Sequence, residues 1–166
     1  MDSYVLDTNV IIDALSADIL HCLYCNCFYV SQVVFKEEIN KQAKSLYIKD
    51  FNIINETFEE LLAAQQYKEN SKHISFHDAL NLVIAKKRKM ILVTGDQQLL
   101  KYAKAENVKC IGTITLIELL IEKELISANE SMEALNKLKL DSTRRVPHKL
   151  IDELIAKIQK EIQHVR

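Results

Sequence analysis

The stretch VLDTNVIIDAL, residues 5–15, places a carboxylate between two apolar elements. A run of strand-forming residues ends at Leu6, and Asp7 follows it directly. Thr8 and Asn9 are small polar residues of the kind that begin helices, and a mostly apolar run comes after them. The stretch therefore predicts a strand, a short junction that carries a carboxylate, and a helix.

Strand-forming runs recur along the chain and are separated by segments with helical spacing. Leu80, Val83 and Ile84 illustrate the spacing of three and four residues that is typical of a helix. Strands that alternate with helices predict a parallel sheet with helices on both of its faces. The predicted strands are residues 3–6, 27–30, 51–54, 90–94 and 109–112.

The pattern changes after Gly112, because only helical spacing follows it. Pro147 stands where a last helix would begin, which is a position that proline favours. We therefore expect an α/β domain over residues 1–125 and a C-terminal helical extension over residues 126–166 that packs on it.

The composition is that of an ordinary globular protein of one domain's size, with 166 residues, 48% apolar and 27% charged. A net charge of −1 excludes a global field that attracts polyanions, so any binding of nucleic acid has to be local. No apolar run approaches the roughly 20 residues of a membrane span. The four cysteines come without a secretory signal, so we expect a cytoplasmic protein with reduced thiols.

Four acidic residues that are far apart in sequence are predicted to meet at one edge of the sheet. Asp7 follows the first strand, and Asp96 follows the fourth strand in VTGD. Asp78 begins a helix in SFHDAL, and Glu37 lies early in the helix after the second strand. Open α/β sheets bind their ligands at the carboxyl ends of the strands. Each acid has a plainer explanation: Asp78 and Asp96 stand at helix caps, Asp7 is incidental beside a cap by Thr8 or Asn9, and Glu37 and Glu38 are surface residues. Independent capping, however, does not favour carboxylates over serine and threonine at every position.

Clustered carboxylates repel one another, and a divalent cation relieves that repulsion. Oxygen ligands suit Mg²⁺ or Mn²⁺. With such an ion, an acidic pocket can hold a phosphodiester and activate a water for in-line attack. The acids therefore favour metal-dependent phosphate chemistry.

Four blocks of the sequence resemble, in order, those of the PIN-domain family: VLDTNVIIDAL, VSQVVFKEEI, HDALNLVIAKKRKMILVTGD and AKAENVKCIGT. They cover most of residues 4–122. The resemblance implies a three-layer α/β/α fold with a central parallel sheet and a Mg²⁺- or Mn²⁺-dependent endoribonuclease that cuts RNA. Many family members are toxins of toxin–antitoxin pairs, including the VapC-like group, so an antitoxin partner and a homodimer are also implied.

Carried over residue by residue, the resemblance implies that the metal ligands and catalytic residues are Asp7, Glu37, Asp78 and Asp96. Asn9 and Thr94 would orient these carboxylates by hydrogen bonds. The second acid has two candidates. Counting seven residues from the end of the second strand gives Glu37, whereas an apolar residue directly after the acid favours Glu38. We choose Glu37.

The tail segment LDSTRRVPHKLIDELI resembles a PIN subgroup with an Arg-Arg-x-Pro-like stretch before its last helix. Arg144 and Arg145 are candidates for a phosphate contact if the tail folds back over the acidic edge. A charged, solvated loop is the alternative, and both readings stay open.

Three other signals have plainer explanations. The segment HCLYCNC contains His21, Cys22, Cys25 and Cys27 at zinc-like spacing, but the second half of such a site is missing, so we favour small core residues. The run KKRK at 86–89 is expected at the opposite edge of the sheet as a solvated turn. For His73 and His77, surface or capping roles are favoured over a general base.

Two other functions stay open at this point. The alternatives to the endoribonuclease are a catalytically inactive PIN-fold interaction module and a metal-dependent phosphohydrolase that acts on small molecules. Cleavage of single-stranded RNA with Mn²⁺, and its loss with EDTA, distinguishes the endoribonuclease from both.

Overall fold

The computed structural model describes residues 2–43 and 46–164. Five strands form one sheet: β1 (Tyr4–Leu6), β2 (Phe28–Ser31), β3 (Asn52–Ile54), β4 (Ile91–Val93) and β5 (Cys110–Ile111). The α-helices of the described chain are α1 (Thr8–Ser16), α2 (Gln32–Val34), α3 (Asn40–Gln42), α4 (Phe58–Asn70), α5 (Phe76–Arg88), α6 (Gln97–Ala105), α7 (Thr113–Glu122), α8 (Ala128–Leu140) and α9 (His148–His164). A π-helical turn, Phe35–Ile39, joins α2 to α3, and short 3-10 helices cover Leu20–Tyr24 and Ile48–Asp50.

All neighbouring strands are parallel, in the order β3-β2-β1-β4-β5. Tyr4 pairs with Phe28 on one side of β1 and with Ile91 on the other. The sheet therefore grows outward in both directions from its central strand, and the connections diverge between β1 and β4. Such a point opens a crevice at the carboxyl ends of the two strands. The predicted three-layer α/β/α fold with a central parallel sheet is confirmed.

The sheet is deeply buried because its strands are apolar on both faces, as parallel strands require. Val5, Leu6 and Leu92 have no solvent exposure. Helix α5 packs on β1 and β4 through buried residues that include Leu80 and Ile84. The acidic ends of β1 and β4 are therefore fixed by a rigid core.

The last two helices pack on the rest of the molecule through apolar side chains. Helix α8 contacts α1 and α7, and α9 contacts α7 and α8. Leu135, Leu138, Ile151 and Ile158 are buried in the same apolar core as the sheet. Residues 165 and 166 of the predicted extension lie outside the described residues. The boundary at residue 125 stays a prediction.

The KKRK run at 86–89 and the HCLYCNC segment are both in ordinary structural surroundings. In the KKRK run, Lys86 pairs with Glu106 at 2.6 Å, and Arg88 pairs with the buried Glu60 at 2.7 Å. Lys89 ends α5 in the left-handed conformation, with φ of 54°. The run lies where β4 begins, at the edge of the sheet opposite to Asp7.

The cysteines of HCLYCNC are reduced and serve as core or near-core residues. Cys22 donates to the carbonyl of Leu125, and the sulfurs of Cys25 and Cys27 are 3.2 Å apart. In the chain that the structure describes, no three His, Cys, Asp or Glu side chains lie close enough to enclose a metal ion. Within the same residues, no helix is both long and apolar enough to cross a bilayer.

Candidate active site at the carboxyl edge of the sheet

Asp7 occupies the junction between β1 and α1, and its carboxylate is buried. The residue takes the N-cap position of α1 with extended backbone angles, but its side chain does not cap the helix. Only 2% of Asp7 is exposed. The hydroxyl of Thr94, at the end of β4, donates to Asp7 Oδ2 at 2.7 Å. Capping therefore does not account for a carboxylate at this position.

The surroundings of Asp7 favour its neutral form. Burial is the main reason that its pKa rises to about 7, and the charges of Asp78 and Glu38 raise it further. The hydrogen bond from Thr94 acts in the opposite direction. A buried carboxylate beside two others is a common feature of functional sites, because folding alone would select against it.

Asp96 and Asp78 both take part in helix caps, as the plainer explanation predicts. Asp96 Oδ1 accepts from the backbone N–H groups of Gln98 and Leu99, at 2.7 and 2.8 Å. Ser75 caps α5 by accepting from the N–H of Asp78 at 3.0 Å, and its hydroxyl donates to Asp78 Oδ2 at 2.7 Å. The caps fix both carboxylates at the edge where Asp7 lies.

These capping roles do not remove the electrostatic conflict between the acids. Burial raises the pKa of Asp78, and the charges of Glu38 and Asp96 add to the rise. Asp7, Glu38, Asp78 and Asp96 are thus linked through mutual repulsion. Three of the four predicted acids, Asp7, Asp78 and Asp96, therefore lie at one edge of the sheet, although no three ligand side chains of the described residues lie close enough to enclose a metal ion.

The structure places Glu38, the alternative candidate, in this cluster, and Glu37 at its rim. The hydroxyl of Thr8 donates to Glu38 Oε2 at 2.6 Å. Glu37 has 56% of its side chain exposed, and Glu38 has 28%. Both residues lie in the π-helical turn Phe35–Ile39, a rare geometry that is frequent at functional sites.

His77 bridges the two glutamates. Its Nε2 lies 2.8 Å from Glu37 Oε2, and its Nδ1 lies 3.0 Å from Glu38 Oε1. The imidazole is directly before Asp78 at the start of α5. His77 therefore ties the π-helical turn to the helix that carries the third acid. The other histidine of this region, His73, is exposed.

The donor set of the cluster fits a hydrated hard cation, although its carboxylates do not by themselves enclose one. Mg²⁺ keeps several waters and is usually held by one or two carboxylates together with substrate phosphates. The pKa values of Asp7 and Asp78 are raised mainly by burial and further by the neighbouring acids, and a bound divalent cation would favour the ionised carboxylates in both respects. Oxygen is the only donor type in the four acids, which suits Mg²⁺ or Mn²⁺.

A cavity of about 510 Å³ adjoins the acidic cluster and brings the C-terminal segment into the site. Its lining is polar and comprises Asn9, Asp13, Gly95, Asp96, Gln97, Gln98, Thr143, Arg144 and Arg145. Asp96 belongs to both the cluster and the cavity. Asn9, which was expected to orient a carboxylate, is exposed and lines the cavity. The loop between α8 and α9 therefore lies over the carboxyl edge.

Sequence reasoning missed Asp13, which anchors this loop. Asp13 is 6% exposed, and Thr113 donates to its Oδ2 at 2.8 Å. Arg144 Nη1 lies 3.5 Å from Asp13 Oδ1. The signal was available, since an acid inside the apolar run VIIDAL of α1 has to be paired when the helix is buried.

A larger cavity of about 600 Å³ lies away from the acids, near Tyr29, Arg88 and Lys89. The guanidinium of Arg88 is held there by the buried Glu60, at 2.7 and 2.8 Å. We place the candidate site at the acidic cluster, which the smaller cavity adjoins through Asp96.

Comparison with known proteins agrees with this architecture. A family model named DUF3368 and described as a PIN domain matches residues 3–160. Among solved structures, the chain is similar to PAE2754 from Pyrobaculum aerophilum, with 19% identity and a TM-score of 0.53 over 73% of this chain and 96% of that one. Such low identity shows a shared fold alone. No curated protein matches the sequence.

Proposed function

Because the chain belongs to the PIN-domain family, whose fold is of the nuclease type, we propose that it is an endoribonuclease that depends on Mg²⁺ or Mn²⁺. The observation that carries the proposal is the buried carboxylate of Asp7. It does not cap its helix, its pKa is raised to about 7, and the charges of two other acids act on it. Helix capping does not account for this arrangement, and a cation site would.

The ligands in this proposal are Asp7, Glu38, Asp78 and Asp96. Glu38 takes the place first given to Glu37, because Glu38 is the glutamate whose charge acts on Asp7 and Asp78. When bound, Mg²⁺ or Mn²⁺ would polarise the scissile phosphate and lower the pKa of a water that attacks in line.

The protein's own residues position this chemistry. Thr94 fixes the carboxylate of Asp7, and Ser75 fixes that of Asp78. Thr8 and His77 hold the two oxygens of Glu38. Hydrogen bonds of this kind orient metal-binding carboxylates, and their loss typically lowers metal affinity or activity 10–100-fold.

The test is cleavage of a generic single-stranded RNA with Mg²⁺ or Mn²⁺, with EDTA as the negative control. A DNA of the same sequence reports whether the ribose is needed. We expect cleavage that EDTA and Asp7→Asn both abolish. Intact RNA with every metal would favour an inactive interaction module, and hydrolysis of small phosphate esters alone would favour a phosphohydrolase.

The toxin role, the antitoxin partner and the homodimer stay predictions that come from the family resemblance. A toxin would stop growth when it is expressed in a bacterial host, and Asp7→Asn would relieve the arrest. Growth that is unaffected by an active enzyme would point to a housekeeping ribonuclease. Sedimentation of the purified protein tests the dimer.

A further inference from the structure

We propose that the loop 141–147 builds a second anion subsite, in which Arg145 binds the RNA phosphate next to the scissile one and Arg144 is a positioning residue. The inference rests on the proposed ribonuclease function and names the part of the substrate that this cavity binds. It assigns different tasks to two adjacent arginines.

The loop is fastened to α1 at its first residues. Ser16 Oγ donates to Asp141 Oδ2 at 2.5 Å, and Asp141 Oδ1 accepts from the backbone N–H and hydroxyl of Thr143 at 2.9 and 2.6 Å. These hydrogen bonds lower the pKa of Asp141 to about 2. Asp141 is therefore ionised at neutral pH and holds a tight turn against α1.

Arg144 is committed to the protein rather than to a ligand. Its guanidinium pairs with Asp13, and only 19% of its side chain is exposed. Its Nε is buried without a hydrogen-bond partner among the described residues. Asp13 is in turn fixed by Thr113. This chain of contacts runs from α7 through α1 to the loop and sets the position of the next residue.

Arg145 lines the cavity and is exposed. Across residues 2–43 and 46–164, no carboxylate lies within ion-pair distance of it. A guanidinium presents a fork of donors that matches the oxygens of a phosphate. Two neighbouring arginines thus differ in kind, since Arg144 is neutralised by Asp13 and Arg145 is available to an anion.

The cavity has the chemistry of a sugar–phosphate subsite. Amides from Asn9, Gln97 and Gln98 supply donors and acceptors beside Arg145. Its described lining contains no aromatic ring on which a base could stack, and stacking is the usual means of holding an unpaired base. Its volume of about 510 Å³ is in the range of small-ligand sites.

The cavity is contiguous with the acidic cluster because Asp96 belongs to both. A strand whose scissile phosphate lies at the carboxylates would therefore pass its next phosphate along Gln97 toward Arg145. The acids exclude an anion from their own position unless a cation is bound, whereas Arg145 attracts one directly. The two subsites together select a chain of phosphates over a single phosphate ester.

The test compares Arg145→Gln with Lys149→Gln, which removes an equally positive group from an 88% exposed side chain just beyond the loop. Binding of a fluorescent single-stranded RNA is measured against salt in the inactive Asp7→Asn background. We expect Arg145→Gln to weaken binding about five- to tenfold and to lower the slope of log affinity against log salt by about 0.7, the value for one phosphate on a single strand. Lys149→Gln should change neither quantity.

Substrate length supplies the second arm, in the active protein. Arg145→Gln should raise KM about tenfold for an oligonucleotide and leave the rate unchanged for a dinucleoside monophosphate, which has no flanking phosphate. Equal defects on both substrates, or none on either, would overturn the subsite. If the wild-type protein cut no RNA but Arg145→Gln still lowered the salt slope of RNA binding, the proposed function would be wrong and the subsite would stand.

Arg144 requires a separate comparison. Arg144→Gln should weaken RNA binding because the loop loses its anchor, and Arg144→Lys, which keeps the charge beside Asp13, should recover binding to within about threefold. The slope of log affinity against log salt should fall by about 0.7, the value for one phosphate, in Arg145→Gln and not in Arg144→Gln. A slope change in Arg144→Gln that matches that of Arg145→Gln would mean that both arginines touch RNA.

If Arg145→Gln left RNA binding intact and abolished binding of an acidic peptide, the cavity would be a protein-binding site instead.

Discussion

The neutral form of Asp7 is favoured by its surroundings, and this determines how the metal-free protein should respond to pH. An acid whose pKa rises from 3.8 unfolded to about 7 folded binds more protons in the native state between those two values. The contribution of Asp7 to the free energy of unfolding therefore falls as pH rises from about 4 to 7. Above pH 7 the full cost of the ionised, buried carboxylate is present.

Asp7→Asn removes this penalty while an amide oxygen can still accept from Thr94. In EDTA at pH 8 we expect the variant to be more stable than the wild type, by up to roughly 2–4 kcal/mol. At pH 4 the two should be equal. Thermal melts across this pH range check the prediction. Mn²⁺ should raise the melting temperature of the wild type only, and a variant less stable at pH 8 would contradict it.

Glu38 and Glu37 are adjacent and have different surroundings, so they make a matched pair. Glu38→Gln should lower RNA cleavage at least tenfold and weaken the thermal shift caused by Mn²⁺, because Glu38 acts on Asp7 and Asp78. Glu37→Gln should keep cleavage within about threefold, since Glu37 is mostly exposed and its carboxylate pairs with His77. The reverse order of effects would return the ligand role to Glu37.

The choice between these two glutamates could not be made from the sequence alone. Seven positions from Val30 gives Glu37 if the intervening helix is regular. The turn Phe35–Ile39 is π-helical, with i→i+5 hydrogen bonds, and this alters which side chain faces the sheet edge. No spacing rule applied to a single sequence detects such a turn. By contrast, Asp7 directly follows β1, and Asp96 comes three residues after β4 at the start of α6, so strand ends and helix starts are enough to predict their positions.

Some helix N-caps both stabilise their helix and hold an acid of the candidate site in place. Ser75 and Ser127 are both N-cap residues that accept from a backbone N–H three positions on, at 3.0 and 3.2 Å. Each change to alanine should cost about 1 kcal/mol of stability. Only Ser75 also holds a carboxylate of the site, that of Asp78.

Ser75→Ala should therefore lower cleavage about tenfold, whereas Ser127→Ala should leave it unchanged at equal loss of stability. Chemical denaturation measures the first quantity, and single-turnover cleavage of RNA measures the second. Equal activity in the two variants would mean that the hydroxyl of Ser75 serves the helix alone.

The strands and helices could be predicted because their sequence patterns are local. The five predicted strands all exist, and their order in chain and their parallel pairing follow from the alternation with helices. Their ends differ by at most one residue, as for the last strand, which is predicted at 109–112 and observed at Cys110–Ile111. Hydrogen bonding at a strand end depends on the neighbouring strand, which the local sequence does not contain.

For the molecule as a whole, the C-terminal helices are part of both the core and the candidate site. Ile151 is fully buried, and its neighbour Leu150 is 46% exposed. Ile151→Ala should cost about 2–4 kcal/mol, and Leu150→Ala less than 1 kcal/mol. Denaturation of the full chain checks this pair. Equal small losses would mean that α9 adds little to the stability of the α/β body.

The long-range part of the site could not be read from the sequence. The pairing of Asp13 with Arg144 joins α1 to a loop more than a hundred residues later in the chain. Local patterns identify the arginines as candidates and predict the last helix, but they do not determine which surface that helix covers. That depends on the apolar faces of α7 and α8, against which α9 packs.

Asp96 caps α6 with one carboxylate oxygen, which leaves the other for the cation of the proposed site, and this has an evolutionary consequence. Oδ1 begins α6 by accepting two backbone hydrogen bonds, and asparagine or serine would do so equally well. If the proposed ribonuclease function holds, a single nucleotide change from aspartate to asparagine at position 96 would silence the activity while the fold is inherited intact. Descendants that bind without cutting are within one mutational step, and selection for a new role could begin from them at no cost in folding.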